Sequence, residues 1–539
     1  MITGTKNDEW WRGAVLYQVY PRSFADSNGD GIGDLAGVTA HLDHLVSLGV
    51  DGLWLSPFYP SPMRDFGYDV TDYRDVDPIF GTLADFDRLL ERAHSLGLKV
   101  LIDQVWSYTA LEHPWFVESR SSRVNPKSDW YVWAEPKADG APPNNWQSWM
   151  GGPAWTWEPR RRQYYLHNFL AEMPDLNFHC RAVQDAILEV AKFWLDRGVD
   201  GFRLDTANFY FHSRGLEDNP PKPGDSPRQM QSNIHNLCQP ENLGFLGRVR
   251  EVFDTYRERM TMAEISAENS LERMVEYTHG RTRLHTAYSF LLLGERHDPR
   301  FIAELMQPWQ EALGGGSGAW PTWAFSNHDT VRVATRWSAD TEPVRCQQLI
   351  ALLACLRGTI VLYQGEELGL PEAELSYEQL QDPYGRTNWP LTKGRDGCRT
   401  PVPWRAGEHA GGFTSGTPWL PFDERHRASA VDLQEAHSDS TLNFTRRVMA
   451  HRRSRSELRL GTFEPLIADE TLLVARRRFG ASASIIGFNF GPNTRTYELP
   501  ADVGECKAAI VIGDASFDGR LIRLGPWAGV IASGVAGTN

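Results

Sequence analysis

Eight short apolar runs, separated by stretches with helical spacing, constrain what this chain can fold into more than any other feature. They lie at Ala14–Phe24, Gly49–Ser56, Leu98–Asp103, Val199–Ala207, Met260–Ile265, Leu284–Phe290, Pro321–Phe325 and Thr359–Tyr363. A strand with one wet face alternates apolar and polar residues, whereas a nearly continuous apolar run suits a parallel strand covered on both faces. Helical spacing at Leu35–Leu48, Asp85–Leu96 and Val183–Asp196 supplies the covers. The expected fold is therefore an α/β one, a (β/α)8 TIM barrel formed by residues 1–103 and 175–455.

Two stretches exceed ordinary connections. Gln104–Pro174, about 70 residues rich in Trp, Pro and Asn, is too long for a βα loop and reads as an inserted lid subdomain after strand 3, residues 104–174. A second excursion, about 369–427, follows the eighth strand and is rich in Gly, Pro and Trp. Helical spacing then ends. Short strands between turns at Leu472–Phe479, Ser484–Phe490, Thr496–Leu499, Ala508–Ile512 and Leu521–Leu524 predict a C-terminal antiparallel β domain over 456–539.

A barrel of this kind places its chemistry at the carboxyl ends of the strands, where Asp103, Asp205, Glu264 and Asp329 all stand. In Gly201-Phe-Arg-Leu-Asp205 the Arg203 and Asp205 side chains share one face, because strand side chains alternate. A neighbouring guanidinium favours an ionised Asp205, as a nucleophile requires; taken alone, the same pair reads first as a structural salt bridge. Glu264 follows Met260, Met262 and Ala263, and poor solvation there favours a protonated carboxyl.

Asp26, Asn28, Asp30 and Asp34 put oxygens on alternate positions, with Ile32 contributing a backbone carbonyl. That pattern suits a hard cation, Ca2+ or Mg2+; Gly37 stands where an EF-hand has its bidentate Glu, so the loop is not an EF-hand. A Gly/Asx turn that satisfies its own backbone is the alternative.

Composition narrows the partners. A net charge of -14 argues against nucleic acid and against an anionic membrane, both of which call for basic patches. Twenty Trp and 17 Tyr fit the binding of sugar rings. Met1–Trp11 has no apolar signal core, no stretch reaches the length of a membrane span, and the six cysteines lack metal spacing, so a cytoplasmic protein with free thiols is expected.

Gln18-Val-Tyr-Pro-Arg-Ser-Phe24, Phe66-Gly-Tyr68-Asp-Val70, Gly201-Phe-Arg203-Leu-Asp205, Ala263-Glu264-Ile265, Ser326-Asn327-His328-Asp329 and Arg399-Thr-Pro401 follow one another in register. In that order they resemble glycoside hydrolase family 13, the α-amylase family, and within it the exo-acting α-glucosidases. The resemblance implies Asp205 as nucleophile, Glu264 as general acid/base and Asp329 as the carboxylate that stabilises the transition state. Such a pair works with retention, at about 5 to 5.5 Å separation.

The resemblance also implies that Asp65 and Arg399 pair to close the blind end of the pocket, with Tyr68 as stacking platform and His328 donating to ring hydroxyls. It implies a structural cation at Asp26, Asn28, Asp30, Ile32 and Asp34, no organic cofactor, and a small oligosaccharide or glucoside as substrate for a monomer or homodimer. Where the family continues its third strand with Asn-His, this chain has Ser107-Tyr108. Tyr108 donates one hydrogen bond and carries no positive charge, which predicts a shifted sugar or lowered turnover. Thr206, beside the nucleophile, is similar to the residue of members acting on α-1,4 bonds; hydrolysis, transfer to another acceptor and sucrose cleavage all remain open, as does, remotely, a non-catalytic binding role.

Overall fold

The structure, a computed structural model, describes residues 9–225, 228–314, 318–340 and 342–535; Met1–Asp8 of the amino-terminal segment lie outside the described residues. The eight apolar runs form β1 (Val15–Val19), β2 (Gly52–Leu55), β3 (Lys99–Gln104), β4 (Gly201–Leu204), β5 (Met260–Ile265), β6 (Thr286–Ser289), β7 (Thr322–Ala324) and β8 (Thr359–Tyr363). All neighbouring pairs are parallel, and a parallel bridge between Ala287 and Pro321 brings β6 to β7, closing the barrel.

Alternation sorts the side chains into two cores. Leu16, Trp54, Leu101, Met260, Met262, Tyr288 and Val361 fill the barrel interior. Val100, Ile102, Phe202, Leu204, Ala263 and Ile265 point outward into the layer under the helices. Extending the inward rows by two residues puts Asp103 above Leu101 and Glu264 above Met262. Register does the rest: Asp103 lies beside Arg203, and Glu264 beside Tyr288.

Between β3 and β4 the chain forms a helix, Pro114–Ser121, and a three-stranded antiparallel sheet of Trp133–Ala134, Gln163–Leu166 and Trp155–Glu158. It leaves and returns side by side, through antiparallel bridges Tyr108–Asp175 and Tyr131–Leu176. After β8 the excursion contains a short helix, Pro383–Asn388, and several 3-10 turns.

Among the described residues the C-terminal region holds eight strands in a five-stranded and a three-stranded antiparallel sheet, not the five strands read from spacing. Two of the three added strands have physical reasons for being illegible, and the third, Ala515–Phe517, is only three residues long. Thr462–Ala468 carries Pro465 at a bulge on the sheet edge, and Gly529–Val535 has glycine at two of seven positions. The helical run Leu35–Leu48 is also two helices, Leu35–Ala40 and Leu42–Leu48, divided at His41.

Candidate active site

One guanidinium organises the carboxyl end of the barrel. Arg203 is fully buried over the Trp54 ring; its Nη1 lies 2.7 Å from Asp103 and 2.7 Å from Asp205, and its Nη2 lies 2.6 Å from Glu264. Tyr288 Oη donates to Glu264 at 2.9 Å while accepting from Arg203. Asp205 begins where β4 ends, and Thr206 follows with φ of +42°, a left-handed conformation that strains a β-branched residue. That turn lets the Thr206 amide donate to Glu264 at 3.2 Å and its hydroxyl donate to Asp205 at 3.2 Å. Tyr108 Oη donates to the same Asp205 oxygen at 2.9 Å.

Burial and sharing set the charges. Burial pushes Asp205 up to about 6; Arg203 opposes this, and Asp103 reinforces it. Arg203 therefore favours the ionised form of Asp205, but divides its charge among three carboxyl groups. Burial likewise pushes Glu264 up to about 7, against Arg203 and with help from Asp205. Asp329 has the opposite balance. Burial would raise it, but His328, Arg395 and Arg399 together hold it well below the usual carboxylate range. At neutral pH the site thus contains an ionised Asp205, a partly protonated Glu264 and an ionised Asp329.

A cavity of about 360 Å³ opens over these groups and is lined by Asp65, Tyr68, Tyr108, Asp205, Glu264 and Asp329. Arg203, His328 and Arg399 lie beneath it, each wholly buried. Tyr68 stacks on His328 with ring centroids 5.3 Å apart and donates to Asp103 at 3.1 Å. His328 is held neutral, since burial lowers its pKa to about 3. Gln18 donates to its Nδ1 at 2.7 Å, which leaves Nε2–H to donate to Tyr68 Oη or to Asp329, 3.3 Å away.

The expected Asp65–Arg399 pair is corrected by the geometry. Asp65 pairs with Arg395 at 2.5 Å, and Arg395 also holds Asp382 at 2.7 Å. Arg399 instead reaches Asp329 at 3.0 Å and donates through Nε to the His328 carbonyl at 2.7 Å. Three residues separate the two arginines in Arg395-Asp-Gly-Cys-Arg399, and only the second belongs to a motif that singles it out. Asp103, Tyr288 and Asp382 were likewise not assigned to the site from sequence, although Asp103 stands at a strand end beside the Arg203 row. The wall also includes Trp149, Met150 and Phe169 from the inserted segment, and Phe209, Phe290 and Tyr384.

The alternate-oxygen loop folds as a run of Asx turns. Asp26 accepts from the amides of Asn28, Gly29 and Gly31, Asn28 from Asp30, and Asp30 from Ile32. Asp34 accepts from Ser27 and from Gly37, capping the helix Leu35–Ala40. The donor chemistry fits a hard cation, but the carboxylates as they stand bind their own backbone. Among the described residues no three His, Cys, Asp or Glu side chains converge as a metal site. All six cysteines are free thiols, and no helix among the described residues is long and apolar enough to cross a membrane.

Comparison with known proteins agrees with this geometry. The model of the α-amylase catalytic domain matches residues 18–461. A probable α-glucosidase of Rhizobium meliloti (strain 1021) is 51% identical over 506 residues, 91% of each chain, and an oligo-1,6-glucosidase of Parageobacillus thermoglucosidasius is 35% identical over 96% of this chain and 98% of its own. Among solved structures, an α-glucosyl transfer enzyme, XgtA, superposes with a TM-score of 0.94 at 52% identity, covering 97% of this chain and 99% of its own. Barrel, carboxylate set and these matches together establish that the chain belongs to the α-amylase family, glycoside hydrolase family 13.

Proposed function

We propose that this enzyme is a retaining exo-α-glucosidase that releases terminal, non-reducing glucose from small α-glucosides, with α-1,4 bonds preferred. The observation that carries this reading is the closure of the pocket. Asp65, Arg395 and Asp382 form an ion-paired plug beside the three carboxylates, and a plugged end admits a chain terminus where an endo-acting enzyme needs an open groove. Asp205 attacks the anomeric carbon as Glu264 gives its proton to the departing oxygen, forming a glucosyl-Asp205 ester. Glu264, now ionised, takes a proton from water, which attacks the same carbon and releases the sugar and Asp205. Asp65, Asp329 and Arg395 face the terminal glucose, Arg399 holds Asp329 in place from beneath, and the ionised Asp329 stabilises positive charge on the ring.

A second reading, transfer of the glucosyl group to an acceptor other than water, is supported by the 52% identical glucosyl transfer enzyme and by the largely apolar wall of Phe169, Phe209, Trp149 and Met150. Maltose, isomaltose, nigerose, sucrose, trehalose and an aryl α-glucoside, each with and without an alcohol, test both readings when all products are resolved. Fastest release of glucose from maltose supports the first; a dominant glucosyl-alcohol product supports the second. Failure to cleave any of them contradicts both.

Asp26, Asn28, Asp30, the Ile32 carbonyl and Asp34 would hold a structural Ca2+ or Mg2+, supported by their hard oxygen donors at alternate positions. Chelation should then lower the melting temperature, and either ion should restore it; a melting curve indifferent to chelator and ions would contradict this. The protein is taken to work in the cytoplasm, as a monomer or homodimer, on dissolved sugars.

A further inference from the structure

The glucose pocket continues into a second cavity of about 620 Å³, and Trp149, Arg228 and Ser266 line both. Asp65, Asp329 and Arg395 line only the first. Ser266 stands two residues beyond Glu264, and a general acid stands on the side of the leaving group. The second cavity therefore receives what is attached to the terminal glucose.

Its lining carries three cations, Lys222, Arg228 and Arg273, against one carboxylate, Glu268. Two of the three are already neutralised: Lys222 is paired with Glu268, and Arg273 with Glu276. Arg228 has no ion pair with a carboxylate among the described residues. It is half-buried, with its guanidinium carbon 3.9 Å from the centre of the Trp149 ring. Burial lowers its pKa, and among the described residues no carboxylate opposes this. Stacking covers a face of the guanidinium and leaves its in-plane N–H donors, the edge that matches a carboxylate in a two-point contact. In a chain of net charge -14, an uncompensated cation at the junction of two cavities is a recognition element.

We propose that the enzyme takes α-glucosides whose aglycone carries a carboxylate, and that Arg228 receives this group. The proposal rests on the α-glucosidase reading and adds the class of leaving group. One unpaired positive charge matches a carboxylate monoanion better than a phosphate dianion. The reaction at the anomeric carbon is unchanged, and Arg228 acts only in binding and orienting the aglycone.

Maltobionate and maltitol test this directly, because both carry the same α-1,4-linked glucose on an open-chain aglycone and differ in a carboxylate against a hydroxymethyl group. The wild-type kcat/KM ratio of maltobionate to maltitol should be about ten, the size expected of a charge-assisted contact in a partly wet site. It should fall towards one in Arg228→Gln, be partly kept in Arg228→Lys, and shrink at high salt in the wild type. A wild-type ratio near one, or a ratio that Arg228→Gln leaves unchanged, would overturn the proposal. If 4-nitrophenyl α-glucoside and maltitol are also not cleaved, the α-glucosidase reading fails and the proposal fails with it.

Discussion

Asp205 and Glu264 depend on the same cation, so their protonation is coupled through Arg203. The proposed mechanism needs Asp205 ionised and Glu264 protonated, and burial raises the pKa of both. Since burial raises both groups, the profile of kcat/KM should be a bell displaced towards neutral pH, falling on the acid side as Asp205 gains a proton and on the alkaline side as Glu264 loses one. Tyr108 sharpens this prediction. Its hydroxyl stabilises the Asp205 carboxylate, and so lowers its pKa against burial. Tyr108→Phe should move the acid limb to higher pH, narrow the bell and lower kcat/KM about tenfold, the scale of one buried hydrogen bond to a charged group. An acid limb that stays in place would show that Tyr108 does not tune the nucleophile.

At the scale of elements, the strands were legible and the loops were not. β1 to β8 announce themselves because each is short, apolar and covered on both faces, and the inward row of β4 and β5 follows from alternation alone. Arg395 was invisible for the opposite reason. It sits in a turn-rich segment whose path is decided by the ion pairs it makes, with Asp382 from its own excursion and with Asp65, 330 residues away in sequence. The aromatic wall from the inserted segment was hidden in the same way, since no local spacing tells which Trp faces a cavity. Arg395→Ala should leave Asp65 and Asp382 buried and unpaired, loosen the plug and raise KM for a simple glucoside, with kcat/KM falling by about 100-fold or more. Unchanged KM in steady-state kinetics would remove the plug from the account of exo action.

Across the whole molecule, buried arginines grip the floor of the barrel, Arg452 from the helix Thr441–Ser454 and Arg477 from the C-terminal sheet. Arg452 donates to the carbonyls of Ala354 and Gly358 at 2.6 Å each, and Arg477, from the strand Leu472–Phe479, donates to the Cys355 carbonyl. Buried acids give the assembly a pH dependence. Burial pushes Asp175 and Glu366 each up to about 8, and Asp205, Asp103 and Glu264 are raised as well. A carboxyl raised in the fold binds its proton more tightly there than when unfolded. Its contribution is complete below the unfolded value of about 4 and is lost as pH rises through the folded value. Buried histidines such as His328, whose pKa is lowered, act in the opposite sense near pH 6.5, so the readout is a difference: the melting temperature of the wild type relative to Asp175→Asn with Glu366→Gln should fall from pH 6 to pH 9. A difference that stays level or rises over that range would contradict the protonated state of these groups.

The central claim is that Asp205 and Glu264, bridged by one guanidinium, work by double displacement. Proton NMR of the first sugar released from an aryl α-glucoside, recorded before mutarotation, tests it most directly. The account predicts α-glucose; prompt release of β-glucose would contradict it.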